Sequence, residues 1–167
     1  MASSSRACIS DATLWIDLHA GKLLEAVFCL PYTWVAPDLV VAELQEPAGA
    51  RLVAAGLQSR GLSGPLVREL VSLRAVYRGV SVADLSALVL AKAMGSVLVT
   101  GDAHLRRAAQ REGVTVHGTL WVLDELVRAG VMAAPAVAQA LEEILAAGGR
   151  LPFDECRKRL LRWQGSG

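Results

Sequence analysis

Ser81-Val82-Ala83-Asp84-Leu85-Ser86-Ala87-Leu88-Val89-Leu90-Ala91-Lys92-Ala93-Met94-Gly95-Ser96-Val97-Leu98-Val99-Thr100-Gly101-Asp102 decides the fold. Ser81 opens a helix that runs to about Met94, where Gly95 stops it. Ser96 to Thr100 then forms a short apolar strand, the pattern of a central parallel strand covered on both faces. Downstream, Asp102 to Glu112 reads as helix closed by Gly113, and Val114 to Val116 as a further short strand. Upstream, strand Ala7–Ser10 leads to helix Thr13–Leu18. A helix over Lys22–Cys29 follows, with Leu23, Leu24, Val27 and Phe28 at helical spacing. Tyr32 to Ala36 is a strand, and Pro37 takes the first position of a helix reaching about Glu46. Ala48 to Ala55 continues as helix, Gly56 to Gly64 is a loop or a weak edge strand, and Pro65 to Tyr77 is a helix with Leu66, Leu70 and Leu73 on one face. Three helical segments close the chain: Leu120–Arg128, Ala136–Ala147 and Pro152–Trp163, the last with Phe153, Cys156, Leu160 and Trp163 on one stripe. Strand and helix alternate throughout, which predicts a three-layer α/β domain around a parallel sheet. Residues 1–5 and 164–167 read as loose ends.

Length and composition agree with one compact domain: 167 residues, 53% hydrophobic and 20% charged, which excludes intrinsic disorder. The net charge of +1 gives no bulk field for polyanions, so any nucleic-acid role rests on a local patch. Arginine far outnumbers lysine (Lys22, Lys92 and Lys158 only), which a GC-rich genome would produce as readily as a phosphate-binding function would. Cys8, Cys29 and Cys156 suit neither a disulfide framework nor a zinc site, and fit a reducing cytoplasm. No secretory leader pattern is visible. The longest apolar stretch, Leu85 to Val99, is broken by Lys92 and Gly95, so no membrane span is expected. Mean hydropathy is +0.40, greasy enough to suggest a buried homodimer face, with Lys22–Cys29 and Pro65–Tyr77 as candidates.

In parallel sheets, ligands collect beyond the carboxyl ends of the strands, where strand order reverses. Four acids fall there: Asp11 directly after the first strand, Glu43 on the helix leaving the second, Asp84 in the first turn of the helix leading into Ser96–Thr100, and Asp102 just after that strand. Each has a structural alternative. Asp102 can be an N-cap, Ser81 to Asp84 a capping box, Asp11 a cap for the next turn, and Glu43 a surface acid. Gathered together, the acids repel and are pushed toward protonation unless a cation compensates. No lysine or arginine is near Asp11, Glu43 or Asp84 in sequence, and an all-oxygen set selects Mg²⁺ or Mn²⁺ over zinc. His19, His104 and His117 are not spaced as ligands and read as structural or surface residues.

These positions resemble the PIN-domain nucleases, most closely the VapC-type toxins of toxin–antitoxin pairs. Four pieces carry the resemblance: Ile9-Ser10-Asp11-Ala12-Thr13-Leu14, Pro37-Asp38-Leu39-Val40-Val41-Ala42-Glu43-Leu44, the acidic segment Ser81 to Ala91, and Val97-Leu98-Val99-Thr100-Gly101-Asp102. The match spans about 7–130, which would be the core of a single domain over 1–167, with a helical extension at about 131–163. The resemblance implies a sheet ordered 3-2-1-4-5 and a Mg²⁺- or Mn²⁺-dependent endoribonuclease. Asp11, Asp84 and Asp102 would hold the metal, and Glu43 would complete the pocket. Thr13 and Thr100 are candidates to orient the carboxylates, and Arg106, Arg107 and Arg111 to track RNA phosphates, although a solvated helix face explains those arginines equally well. An antitoxin protein would cover the groove. A catalytically silent PIN-like module that binds RNA or protein is the alternative. Other phosphate-handling folds lack support: there is no G-x-G-x-x-G or Walker A loop, and Asp11-Ala12-Thr13 has one acid only.

Overall fold

The structure, a computed structural model, describes residues 5–165. Its strands are β1 (Arg6–Ser10), β2 (Tyr32–Pro37), β3 (Gln58–Arg60), β4 (Val97–Val99) and β5 (Val116–His117). Its helices are α1 (Ala12–Ala20), α2 (Leu24–Val27), α3 (Asp38–Glu43), α4 (Gly49–Ala55), α5 (Gly64–Val76), α6 (Val82–Met94), α7 (Ala103–Arg111), α8 (Thr119–Arg128), α9 (Ala134–Ala146) and α10 (Phe153–Gln164). All strand pairs are parallel and the sheet order is β3-β2-β1-β4-β5, as expected. The chain steps outward from β1 in one direction to β3 and in the other through β4 to β5. The order therefore reverses between β1 and β4.

Alternation along the strands builds two cores. Cys8, Trp34, Ala36 and Val99 face α1, α2, α8, α9 and α10, while Ile9, Val35 and Leu98 face α5, α6 and α7. Each large side chain buried this way contributes about 1.5–3 kcal/mol. Two of the core indoles anchor the strands: Trp34 Nε1 donates to the Val27 carbonyl at 3.2 Å, and Trp15 Nε1 donates to Ser10 Oγ at 2.8 Å. The second bond pins the first turn of α1 to the end of β1, which fixes where Asp11 stands.

The elements differ from the sequence reading in particular places. The helix expected over Lys22–Cys29 contracts to α2, because Lys22 adopts φ +58 and Leu23 closes back on Leu18. Leu23, Leu24 and Val27 of this segment are buried in the core, whereas α5 leaves Val67, Val71 and Val76 exposed. Pro37 is the last residue of β2, opposite Arg60, and α3 ends at Glu43 rather than Glu46. The ambiguous Gly56–Gly64 stretch contains the edge strand β3. Strand β5 starts at Val116 because Val114 N closes the end of α7 on the Ala109 carbonyl. On α10, Cys156 and Trp163 are buried but Phe153 is 77% exposed, so it leaves the predicted stripe. Gln164 belongs to α10 and donates to Glu142, so it is not a loose end; residues 1–4 and 166–167 lie outside the described residues. Among the described residues no helix is long and apolar enough to cross a membrane.

Candidate functional site

Asp11 leaves β1 in an extended conformation and caps α1, its Oδ1 accepting Leu14 N at 3.2 Å. Its Oδ2 accepts two hydroxyls, Thr13 Oγ1 at 2.7 Å and Thr100 Oγ1 at 2.5 Å, the latter from the end of β4. Each threonine is itself anchored: Thr13 Oγ1 accepts Gly101 N at 2.8 Å, and Thr100 Oγ1 accepts Asp102 N at 2.9 Å. A hydrogen-bond lattice thus crosses the β1/β4 reversal, with the Thr13 and Thr100 hydroxyls both on the Asp11 carboxylate. Asp102 caps α7, with Oδ1 accepting Leu105 N at 2.8 Å. Asp84 stands in the first turn of α6, where Ser81 Oγ accepts its backbone N–H at 3.1 Å. The capping roles and the gathering of acids coexist, because a carboxylate has more acceptor sites than a cap uses. Glu43 ends α3 with an exposed side chain.

The electrostatics join the four acids. Asp11 is fully buried, and burial pushes its pKa up to about 7; the Asp84 charge adds to this, and the bonds from Thr100, Thr13 and Leu14 oppose it. Burial also raises Asp84, with Ser81 opposing and the Asp102 charge reinforcing the rise. Glu43, although its side chain is exposed, is raised by partial loss of solvent to neighbouring groups and then by the Asp84 charge. Among the described residues, no cationic side chain is a cause of any of these three shifts. The donor set fits a hard divalent cation on chemical grounds: anionic oxygens that raise one another, with no internal counter-charge. Among the described residues, no three His, Cys, Asp or Glu side chains close on one point at ligand spacing. The coupling therefore runs at longer range than three-fold ligation of one ion.

Sequence reasoning missed Asp17. Its side chain is buried on α1, Oδ2 accepts Thr119 Oγ1 at 2.8 Å, and burial raises its pKa while Thr119 opposes. A Cβ on Gly101 would stand 3.2 Å from both Asp17 Oδ2 and Thr13 Oγ1, so these groups close over the backbone beyond β4. The available signal was helical spacing: Asp17 follows Thr13 by one turn and shares its face. Asp17, Thr13 and Asp102 line a cavity of about 480 Å³.

The three arginines of α7 diverge. Arg106 is half-buried and lies over Gly118, where any Cβ would overlap its guanidinium. Arg107 is exposed and donates to His104 Nδ1 at 3.0 Å, and Arg111 ends the helix on the side of Tyr77. His19 pairs with Glu46 at 3.0 Å, and His117 stacks on Trp121 at 4.3 Å between centroids.

The model of a protein family described as a PIN domain matches residues 7–164, through both C-terminal helices. No curated protein gives a significant match to the chain.

Proposed function

The chain belongs to the PIN-domain family, whose members are generally nucleases, and from that premise we propose a Mg²⁺- or Mn²⁺-dependent endoribonuclease. One observation carries this reading: a fully buried Asp11 whose pKa, like those of Asp84 and Glu43, is raised with no cation to answer it. Asp11, Asp84 and Asp102 hold the ion, directly or through water. When bound, a dication lowers the pKa of a water and neutralises charge developing on the scissile phosphate. Thr13 and Thr100 keep the Asp11 carboxylate facing the β1/β4 crevice. Glu43 positions the attacking water or takes its proton. Water adds to phosphorus in line, the bond to the 3′ oxygen breaks, and the products are a 5′-phosphate and a 3′-hydroxyl.

In this proposal the whole of 1–167 acts as one domain in the cytoplasm, as the toxin of a type II toxin–antitoxin pair. An antitoxin covers the groove, and a homodimer is built on the exposed valines of α5. The test is cleavage of single-stranded RNA with Mn²⁺. Asp11→Asn is expected to lower the rate about a hundredfold or more, and undiminished cleavage would defeat the assignment. A catalytically silent binding module is the second reading, favoured by the absence of three acids at ligand spacing among the described residues. Calorimetry that finds no Mg²⁺ or Mn²⁺ binding at neutral pH would select it.

A further inference from the structure

Resting on the nuclease reading, we infer that the cavity on the β5 side of the acids is a subsite for one unstacked ribonucleotide, its phosphate on Arg106 and Arg150 and its base against the His117–Trp121 ring pair. This cavity holds about 730 Å³, within the range of small-ligand pockets. It adjoins the cavity at Asp102 and Asp17, with Gly101, Ala103 and Arg150 in the walls of both. Asp102, one of the acids, lines the neighbouring cavity, so an RNA strand bound at the acids would run toward this one.

Charge selects an anion there. Of the acids on its wall, Asp124 is held by Arg159 at 2.8 Å and Arg162 at 3.0 Å, and Glu155 by Arg159 at 3.0 Å and Lys158 at 3.3 Å. Arg106 and Arg150 form no ion pair with a carboxylate among the described residues. A half-buried guanidinium without a carboxylate is incompletely compensated, and its planar fork matches a phosphate. Arg106 keeps that position because Gly118 has no side chain, although the extended backbone of Gly118 would accept one. His117 and Trp121 lie nearly parallel, 9° between planes, at the wall beside it, and aromatic surface takes any base by stacking. Single-stranded RNA is recognised in this way, by splayed bases on aromatic side chains with arginines on the backbone.

The experiment titrates the full chain, in EDTA, with AMP, GMP, CMP and UMP, by calorimetry and tryptophan fluorescence. Saturable binding is expected in the wild type and in Asp11→Asn, weakened about tenfold in Arg150→Ala and in Gly118→Ala. Arg150→Ala lies on an exposed loop, so it keeps the test sharp if Gly118→Ala perturbs folding. No saturable binding of any of the four, or binding unchanged in both variants, overturns the subsite. A wild type that binds nucleotides in this variant-sensitive way but cleaves no RNA sinks the nuclease reading and leaves the subsite standing.

Discussion

Helix α6 ends in two opposite electrostatic settings. At its N-terminal end Asp84 sits among Asp11, Glu43 and Asp102, and all the resolved shifts run upward with no cation among their causes. At its C-terminal end Lys92 lies between Glu69 at 2.7 Å and Glu112 at 3.0 Å, and Tyr77 donates to Glu112 at 2.6 Å. Bonds from Tyr77 and Lys92 hold Glu112 below the usual carboxylate range, and the two glutamates raise Lys92. The helix dipole favours an acid at the first end and a base at the second, so both ends are locally sound. They differ in what the rest of the chain brings to them. Folding brings carboxylates to Lys92 and, among the described residues, brings no cation to Asp84, which is the observation behind the proposed cation site.

Opposite pH slopes sharpen this contrast most. Asp11 titrates at 3.8 in an unfolded chain and at about 7 when folded. Between those values the folded protein binds the extra proton, so its stability falls as pH rises through the interval and stays low above it. The interval corresponds to at most about 4 kcal/mol. In EDTA at pH 8, Asp11→Asn should therefore be more stable than the wild type by about 2 kcal/mol in urea unfolding, with the gap closing by about pH 4. Added Mg²⁺ should stabilise the wild type and not the variant. A variant less stable than wild type at pH 8 would break the contrast.

A smaller effect is expected at Ser81, whose hydroxyl caps α6 and fixes the first turn that carries Asp84. Ser81→Ala should cost about 1 kcal/mol in thermal or urea unfolding and should also lower the RNA cleavage rate. A stability loss with full activity would separate the cap from the acid it positions. The smallest is at the other end. Lys92→Met should cost about 0.5 kcal/mol at pH 7, since the pairs are partly solvated. Because the pKa of Glu112 is depressed, its contribution is present above the unfolded carboxylate value and is lost as pH falls through the folded one. The Lys92→Met deficit should therefore shrink in acid, opposite in sense to Asp11. A deficit that grows in acid would show that the ends of α6 are not opposites.

Strands β1, β2 and β4 were legible because they are buried on both faces and read as apolar runs. The edge strand β3 was legible only as one of two readings, loop or weak edge strand, because Gln58, Ser59 and Arg60 are all exposed and carry no pattern. Phe153 was placed on a buried stripe by spacing alone, but at the first turn of α10 it has nothing to pack against. At the candidate site, the four acids were picked out by their order relative to strands and helices, and the coupling of their charges is visible only in the fold. Asp17 was not, because a lone acid on an apolar helix looks like a solvated residue until Thr119, 102 positions away, is seen to donate to it. The three arginines of α7 were indistinguishable in sequence, and a glycine on a different element, Gly118, sets Arg106 apart.

Local chemistry, written in the order of residues, was enough to settle the α/β class with a parallel sheet and to mark the strand ends where acids fall. The strand order came from the resemblance to the PIN-domain nucleases and was then borne out by the fold. Periodicity, caps and breakers act within a few residues, so they fix the elements and their alternation but not which strand lies beside which. Charge balance and cavity shape came from the folded chain alone. Whether a carboxylate finds a cation, or an arginine faces a hollow, depends on partners tens of residues away whose separation leaves no trace in the local pattern.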